Sequence, residues 1–200
     1  MATTAPAIAR PRPAPRLEAV ILRLSHALVR PWRGADAASL ARHANDREVW
    51  RNLRDRFPHP YTPGDAEAWL TWVAQLDPVT QWAIEVEGEA AGGIGFTIGA
   101  DVHARVAEIG YWLGRTHWGR GIATEAVCAV TAHAFAAHDL LRVEAHAFAW
   151  NGASLRVLEK AGYVREACLR QAVVKDGEVT DLLIYAVVRP GPLARPATLA

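Results

Sequence analysis

The stretch HWGRGIATEA, residues 117–126, sets two glycines around one arginine and then runs straight into good helix formers. Glycine tolerates positive φ and lets backbone amides approach a guest, and a helix N-terminus presents unpaired N–H groups carrying partial positive charge. A phosphate or pyrophosphate is the guest that suits this combination. The bland alternative is a tight strand-to-helix turn, and spacing alone leaves the two open. A P-loop needs four residues between its first glycine and Gly-Lys-Ser/Thr, and the chain has none. A dinucleotide fold wants a third small residue where Thr124 stands and an acid ending the next strand, where Phe148 to Trp150 are found instead.

Working outward, RVAEIGYWLG (105–114) reads as the strand that feeds the loop, and the helix behind it keeps helical period in Ile122, Ala126, Val130 and Ala134 through about His138. LLRVEAHAF (140–148) is again strand-like. NGASLRVLEKAG (151–162) reads as a short helix with Asn151 as cap and Gly162 just past its end. Residues 163–188 form a long hairpin turning at Asp176-Gly177. Upstream, residues 20–32 give two short strands, and residues 81–99 a hairpin turning at Glu87-Gly88-Glu89. Asp36 and Asp46 are expected to cap short helices. Thr62, Pro63 and Asp65 mark the start of a longer one, whose Trp69, Trp72, Val73 and Leu76 predict a core-facing stripe. Strands gathered early and late, with helices entering after strands in the second half, predict an α+β fold around a mixed sheet.

The 200 residues are 51% hydrophobic, enough for one well-buried core. Residues 1–16 hold three arginines, four prolines and no acid, and read as a disordered tail rather than a transit peptide. Residues 17–189 are the expected domain, and 190–200 a second tail. A formal net charge of +1 provides no global field for nucleic acid or an anionic membrane. No apolar run approaches spanning length. The two cysteines, Cys128 and Cys168, lack metal or scaffold spacing, and the histidines show no ligand pattern. No metal is expected, and a reducing cytoplasm is.

EIGYWLG (108–114), HWGRGIATEA (117–126) and NGASLRVLEKAGY (151–163), in that order and spacing, resemble the GNAT superfamily of acyl-CoA N-acyltransferases, and most nearly its RimJ/RimL group. The resemblance extends more loosely to residues 28–53 and 175–188. It implies a mostly antiparallel sheet of about seven strands, flanked by helices and splayed between two parallel central strands. It further implies that backbone amides around Trp118, Gly119, Arg120, Gly121, Ile122, Ala123 and Thr124 cradle the pyrophosphate of acetyl-CoA, with Arg120 at the rim. Thr116 departs from the Gln or Arg that many members carry three residues before the first glycine.

Acyl transfer to an amine needs a deprotonated nitrogen, a polarised carbonyl and support for the departing thiolate. By the same resemblance, Glu108 is the candidate base; its alternative is an ion pair with a neighbour such as Arg105, or a solvated place on the sheet. Backbone N–H groups near Trp112 and Leu113 would polarise the thioester carbonyl. The side chains of Tyr111 and Trp112 read as core or pocket wall. Asn151 matches the asparagine that holds the pantetheine arm, as well as capping its helix. Leu158 fills the place where many members carry an acidic tyrosine, and Ser154 matches the serine that supports the leaving sulfur in the RimJ/RimL group.

The acceptor is expected between residues 51–61 and 175–181. The leading reading is acetyl-CoA-dependent N-acetylation, most directly of a protein N-terminal α-amine. A small-molecule amine such as an antibiotic or polyamine is a second reading, and an inactive acyl-CoA-binding regulatory module a third. The expected assembly is a monomer or homodimer.

Overall fold

The computed structural model describes residues 20–189, and the expected tails at 1–16 and 190–200 lie outside them. Eight strands form one sheet in the order β1-β2-β3-β4-β5-β6-β8-β7. They are β1 (Leu22–Arg23), β2 (Leu28–Pro31), β3 (Gln81–Val86), β4 (Glu89–Ile98), β5 (Val106–Leu113), β6 (Arg142–Phe148), β7 (Val164–Lys175) and β8 (Glu178–Val188). The expectation was about seven; the two-residue β1 completes the eight. Every pairing is antiparallel except β5 with β6.

The helices are α1 (Ala37–Ala44), α2 (Arg47–Trp50), α3 (Pro63–Val73), α4 (Ile122–Ala137) and α5 (Gly152–Lys160). Period-2 alternation along β5 sorts them onto two faces. Ile109, Tyr111 and Leu113 pack into the main core with α4 and α5 residues such as Ile122, Val127 and Leu158. Trp112 packs instead into a smaller cluster with Leu40 of α1, Leu70 and Val73 of α3, and the aromatic rings of Trp32 and Phe57. One sheet thus carries α4 and α5 on one side and α1 and α3 on the other.

Local chemistry starts most of these elements as expected. Thr62 and Asp65 complete a reciprocal capping box with Pro63 in the first turn of α3, and the Asp46 carboxylate accepts the Glu48 N–H at the start of α2. Two expectations fail for reasons of tertiary structure. Asp36 precedes α1, but its carboxylate meets the buried Arg30 guanidinium at 2.7 and 2.8 Å and the Arg33 N–H at 2.8 Å, so it holds β2 to the α1 turn instead of capping. On α3 the buried face is Ala66, Leu70 and Val73, which looks onto α1, while Trp72 remains 47% exposed against the ring of Trp69.

The feature that positions the site is where parallel pairing stops. β5 and β6 are in register only at Val106 with Arg142, Ala107 with Val143 and Glu108 with Glu144. Beyond that point β5 stays paired to β4 as far as Leu113, and β6 to β8 as far as Phe148. The two central strands therefore separate after Glu108, held apart by their outer neighbours. β5 is left with an open backbone edge toward the gap, and a backbone edge without its ladder partner seeks another donor or acceptor.

Candidate active site

The glycine loop lies between the end of β5 and the start of α4. Gly119 and Gly121 both adopt left-handed conformations, with φ of 76° and 79°, and a Cβ built on either meets nothing within 4 Å. The open space in front of them is the cradle expected of a loop that admits a guest to its backbone. Gly121 is itself the N-cap of α4 and supplies no side chain to the first-turn N–H groups. Those donors at Ile122, Ala123 and Thr124 stand at the positive end of a 16-residue helix, a combination able to receive an anion. The indole N–H of Trp118 donates to the Leu113 carbonyl at 2.7 Å, which fixes the loop to the end of β5. Arg120 stands at the rim, 3.1 Å from Glu87. Burial pushes His117 below the usual histidine range, and His43 and Arg120 lower it further against the opposing pull of Glu87 and Glu89.

Glu108 stands at the last position of β5 that is paired to β6, at the mouth of the gap. Its partner is Arg54, on the segment between α2 and α3, with His146 Nδ1 3.8 Å away; Arg105, the expected alternative partner, pairs with Asp139 at 2.6 Å instead. Next to it, burial raises the Glu144 carboxyl, but hydrogen bonds and charge from Arg142 and His146 outweigh this and hold it below the usual range. Sequence reasoning left Arg54 and His146 out. Arg54 is 54 residues from Glu108 in the chain, and only the fold brings them together.

Across the sheet, Asn151 caps α5 by accepting the Ser154 N–H at 3.1 Å, so its capping role is visible directly. Ser154 Oγ lies 2.7 Å from the Tyr111 hydroxyl, a contact the sequence reading missed by taking Tyr111 as wall. Its signal was the alternation that sets Tyr111 with Ile109 and Leu113 on the α5 side. Leu158 is 1% exposed and belongs to the core, so this position supplies no general acid. Trp112 and Leu113 stand on the open stretch of β5, and the Trp112 ring is committed to Phe57.

The expected acceptor segments do meet. Lys175, 2% exposed, reaches Asp55 at 2.7 Å and lies 3.8 Å over the ring of Trp50, while Arg47 pairs with Asp176 and Arg51 with Glu178. These ties close the α2–α3 segment onto the β7–β8 hairpin. Between them opens a groove of about 270 Å³, lined by Leu53, Arg54, Phe148, Val173 and Leu182. Arg54 belongs both to this groove and to the Glu108 pair, so one side chain links the groove with the mouth of the gap. Among the described residues no group of three or more His, Cys, Asp or Glu is placed to hold a metal, and no helix is long and apolar enough to cross a membrane.

Comparison with known proteins agrees with this geometry. The chain is 39% identical over 112 residues to the uncharacterized N-acetyltransferase YoaA of Bacillus subtilis, which covers 55% of this chain and 63% of that protein. It is 34% identical over 82 residues to the ribosomal-protein-serine acetyltransferase of Escherichia coli, covering 41% and 46% respectively. The chain thus spans roughly half to two thirds of the length of these curated relatives. Among solved structures, Mycobacterium smegmatis RimJ in complex with CoA-disulfide superposes with a TM-score of 0.70 at 28% identity, over 82% of each chain. The family model described as an acetyltransferase (GNAT) domain matches residues 26–164, from the turn before β2 into β7, and so takes in both the glycine loop and the split sheet: the chain belongs to the GNAT acetyltransferase family.

Proposed function

We propose that the protein moves an acetyl group from acetyl-CoA to a primary amine, the α-amine of a protein N-terminus, by direct attack in a ternary complex in the cytoplasm. The observation that carries this reading is the gap that opens after Glu108 and Glu144, because it joins two faces of different chemistry. On the α4–α5 face are the open glycine loop, two helix N-termini and Ser154. On the other are Glu108, Arg54 and the groove. A donor held on the first face and an amine held on the second meet in the gap, without an acyl-enzyme.

The amides from Trp118 to Thr124 would take the pyrophosphate, with Arg120 at its rim, and Asn151 the pantetheine arm. Free backbone N–H groups near Trp112 and Leu113 would polarise the thioester carbonyl. Glu108 receives the amine proton, directly or through an ordered water. The nitrogen lone pair forms the new N–C bond, the C–S bond breaks, and its electron pair leaves on sulfur. Ser154 Oγ–H donates to that thiolate at the positive end of α5. Kinship to proteins named as a ribosomal-protein-serine acetyltransferase and RimJ favours a protein N-terminus over a small amine.

Ser154→Ala is the direct test of the leaving-group assignment. A lost hydrogen bond to a charged group is worth roughly 1.5–3 kcal/mol, so turnover falls by about 10- to 100-fold. The fall is the same at every pH, and CoA affinity measured by calorimetry at pH 6.5 stays within about twofold of wild type, since neutral CoA thiol gains little from the serine. Wild-type turnover in this variant would return Ser154 to a plain helix-start role.

A further inference from the structure

We propose that Tyr111 is the positioning residue for Ser154: its hydroxyl donates to Ser154 Oγ and thereby leaves the serine's own proton to point into the gap. This rests on the thiolate-stabilising reading of Ser154 and adds to it a residue that the sequence reads as core or pocket wall.

The argument starts from proton counting. Tyr111 Oη lies 2.7 Å from Ser154 Oγ and 3.3 Å from the Ser154 carbonyl oxygen. Two hydroxyls at 2.7 Å share one proton, and that distance is the usual one for O–H···O, whereas 3.3 Å is long. If serine donates to tyrosine, the tyrosine proton is left with the long contact and Ser154 has nothing to offer the sulfur. If tyrosine donates to serine, the short contact is satisfied and the serine proton is free. The second arrangement uses the better geometry and gives the serine a donor's role. It also polarises the serine hydroxyl, because a hydroxyl that accepts one hydrogen bond donates a stronger one.

The surroundings hold this arrangement in place. Burial pushes the Tyr111 phenol above its ordinary range, despite the opposing hydrogen bond from Ser154, so the ring stays a neutral donor throughout the working pH range. A proton is therefore lent in a hydrogen bond and not transferred. A serine near a helix start can otherwise turn back to bond its own backbone, which would remove it from the gap. Among the described residues the Tyr111 hydroxyl is the one side-chain partner recorded for Ser154 Oγ. The tyrosine comes from β5, the strand that borders the gap, so strand and helix fix the serine from two directions.

The test compares affinity for CoA with that for desulfo-CoA, which lacks the sulfhydryl, at pH 9.5, where an alkyl thiol is ionised in substantial part and a site that favours thiolate draws it further. Calorimetry is run on wild type, Tyr111→Phe, Ser154→Ala and the double variant, with the same measurement at pH 6.5 as the thiol control. Phenylalanine keeps the ring and removes one oxygen, and binding of desulfo-CoA itself verifies that each variant is folded. At pH 9.5 wild type prefers CoA; the preference drops about fivefold in Tyr111→Phe, as for one lost hydrogen bond, and the double variant is no worse than Ser154→Ala. At pH 6.5 the preference is small in all four. A preference unchanged in Tyr111→Phe but lost in Ser154→Ala overturns the proposal and leaves the serine's role standing. A Tyr111→Phe effect that persists undiminished in the Ser154→Ala background overturns it as well, since the tyrosine would then act through packing. Loss in neither single variant, or no preference in wild type, removes the thiolate role of Ser154 and the proposal with it.

Discussion

Glu108→Gln is expected to lower turnover at pH 7 by about 10²- to 10⁴-fold, the range for losing a general base. The amide keeps the shape of the carboxylate and its place at the end of the parallel pairing, but cannot accept the amine's proton. The deficit should shrink as pH rises. An α-amine has a pKa near 8, so above about pH 9 the acceptor arrives already deprotonated and the base has no work to do. Wild-type turnover should rise less over the same interval, and the two profiles converge. Folding is little affected, because Glu108 and Arg54 form a partly exposed pair, and such pairs contribute about 0–1 kcal/mol. Measuring kcat from pH 6.5 to 10 on a fixed peptide decides the matter. Parallel profiles with no convergence would take the base role from Glu108, and His146, 3.8 Å from its carboxylate, would be the next group to replace.

Gly121→Val is expected to lower CoA affinity by at least ~100-fold, the largest effect on binding that the fold predicts. The φ of 79° is foreign to a β-branched residue and costs about 1–3 kcal/mol of stability, or roughly 2–12 °C in a domain of this size. Strain alone does not block a ligand. The valine methyls enter the space in front of α4 that a Cβ at this position finds empty of protein atoms, the space the proposed pyrophosphate would take. Gly162→Val separates the two contributions. Its φ is 84°, its Cβ position is equally open, and it lies past the C-terminal end of α5, away from the loop. Both variants should melt lower, and only Gly121→Val should lose CoA in calorimetry. Wild-type affinity in folded Gly121→Val would mean that the loop does not receive the phosphates.

The features legible in the sequence are those whose cause is local. The positive φ at Gly119 and Gly121, the Thr62–Asp65 box, the Asn151 cap and the Asp176-Gly177 turn each follow from a residue and its near neighbours. Asp36 shows the limit of such signals: as a cap it is ordinary, yet a buried arginine offers its carboxylate two hydrogen bonds, and the stronger partner wins. Trp72 was misread because helical period identifies a stripe without saying which stripe meets α1. The candidate site divides in the same way. Glu108, Ser154 and the loop are candidates because their places along the chain match the family pattern. Arg54 beside Glu108, Tyr111 beside Ser154, and Lys175 against Asp55 join segments 54, 43 and 120 residues apart, and no local pattern records those meetings.

The central claim is that a free α-amine receives the acetyl group. It is tested by CoA thiol release, with mass spectrometry of the acceptor, on one serine-initiated peptide whose N-terminus is either free or blocked, alongside a polyamine and an aminoglycoside. The account predicts thiol release matched mole for mole by a single added acetyl group at the N-terminus of the free peptide, and none with the blocked one. Turnover confined to the small amines would contradict the assigned acceptor, and CoA binding with no turnover of any amine would contradict the enzyme itself.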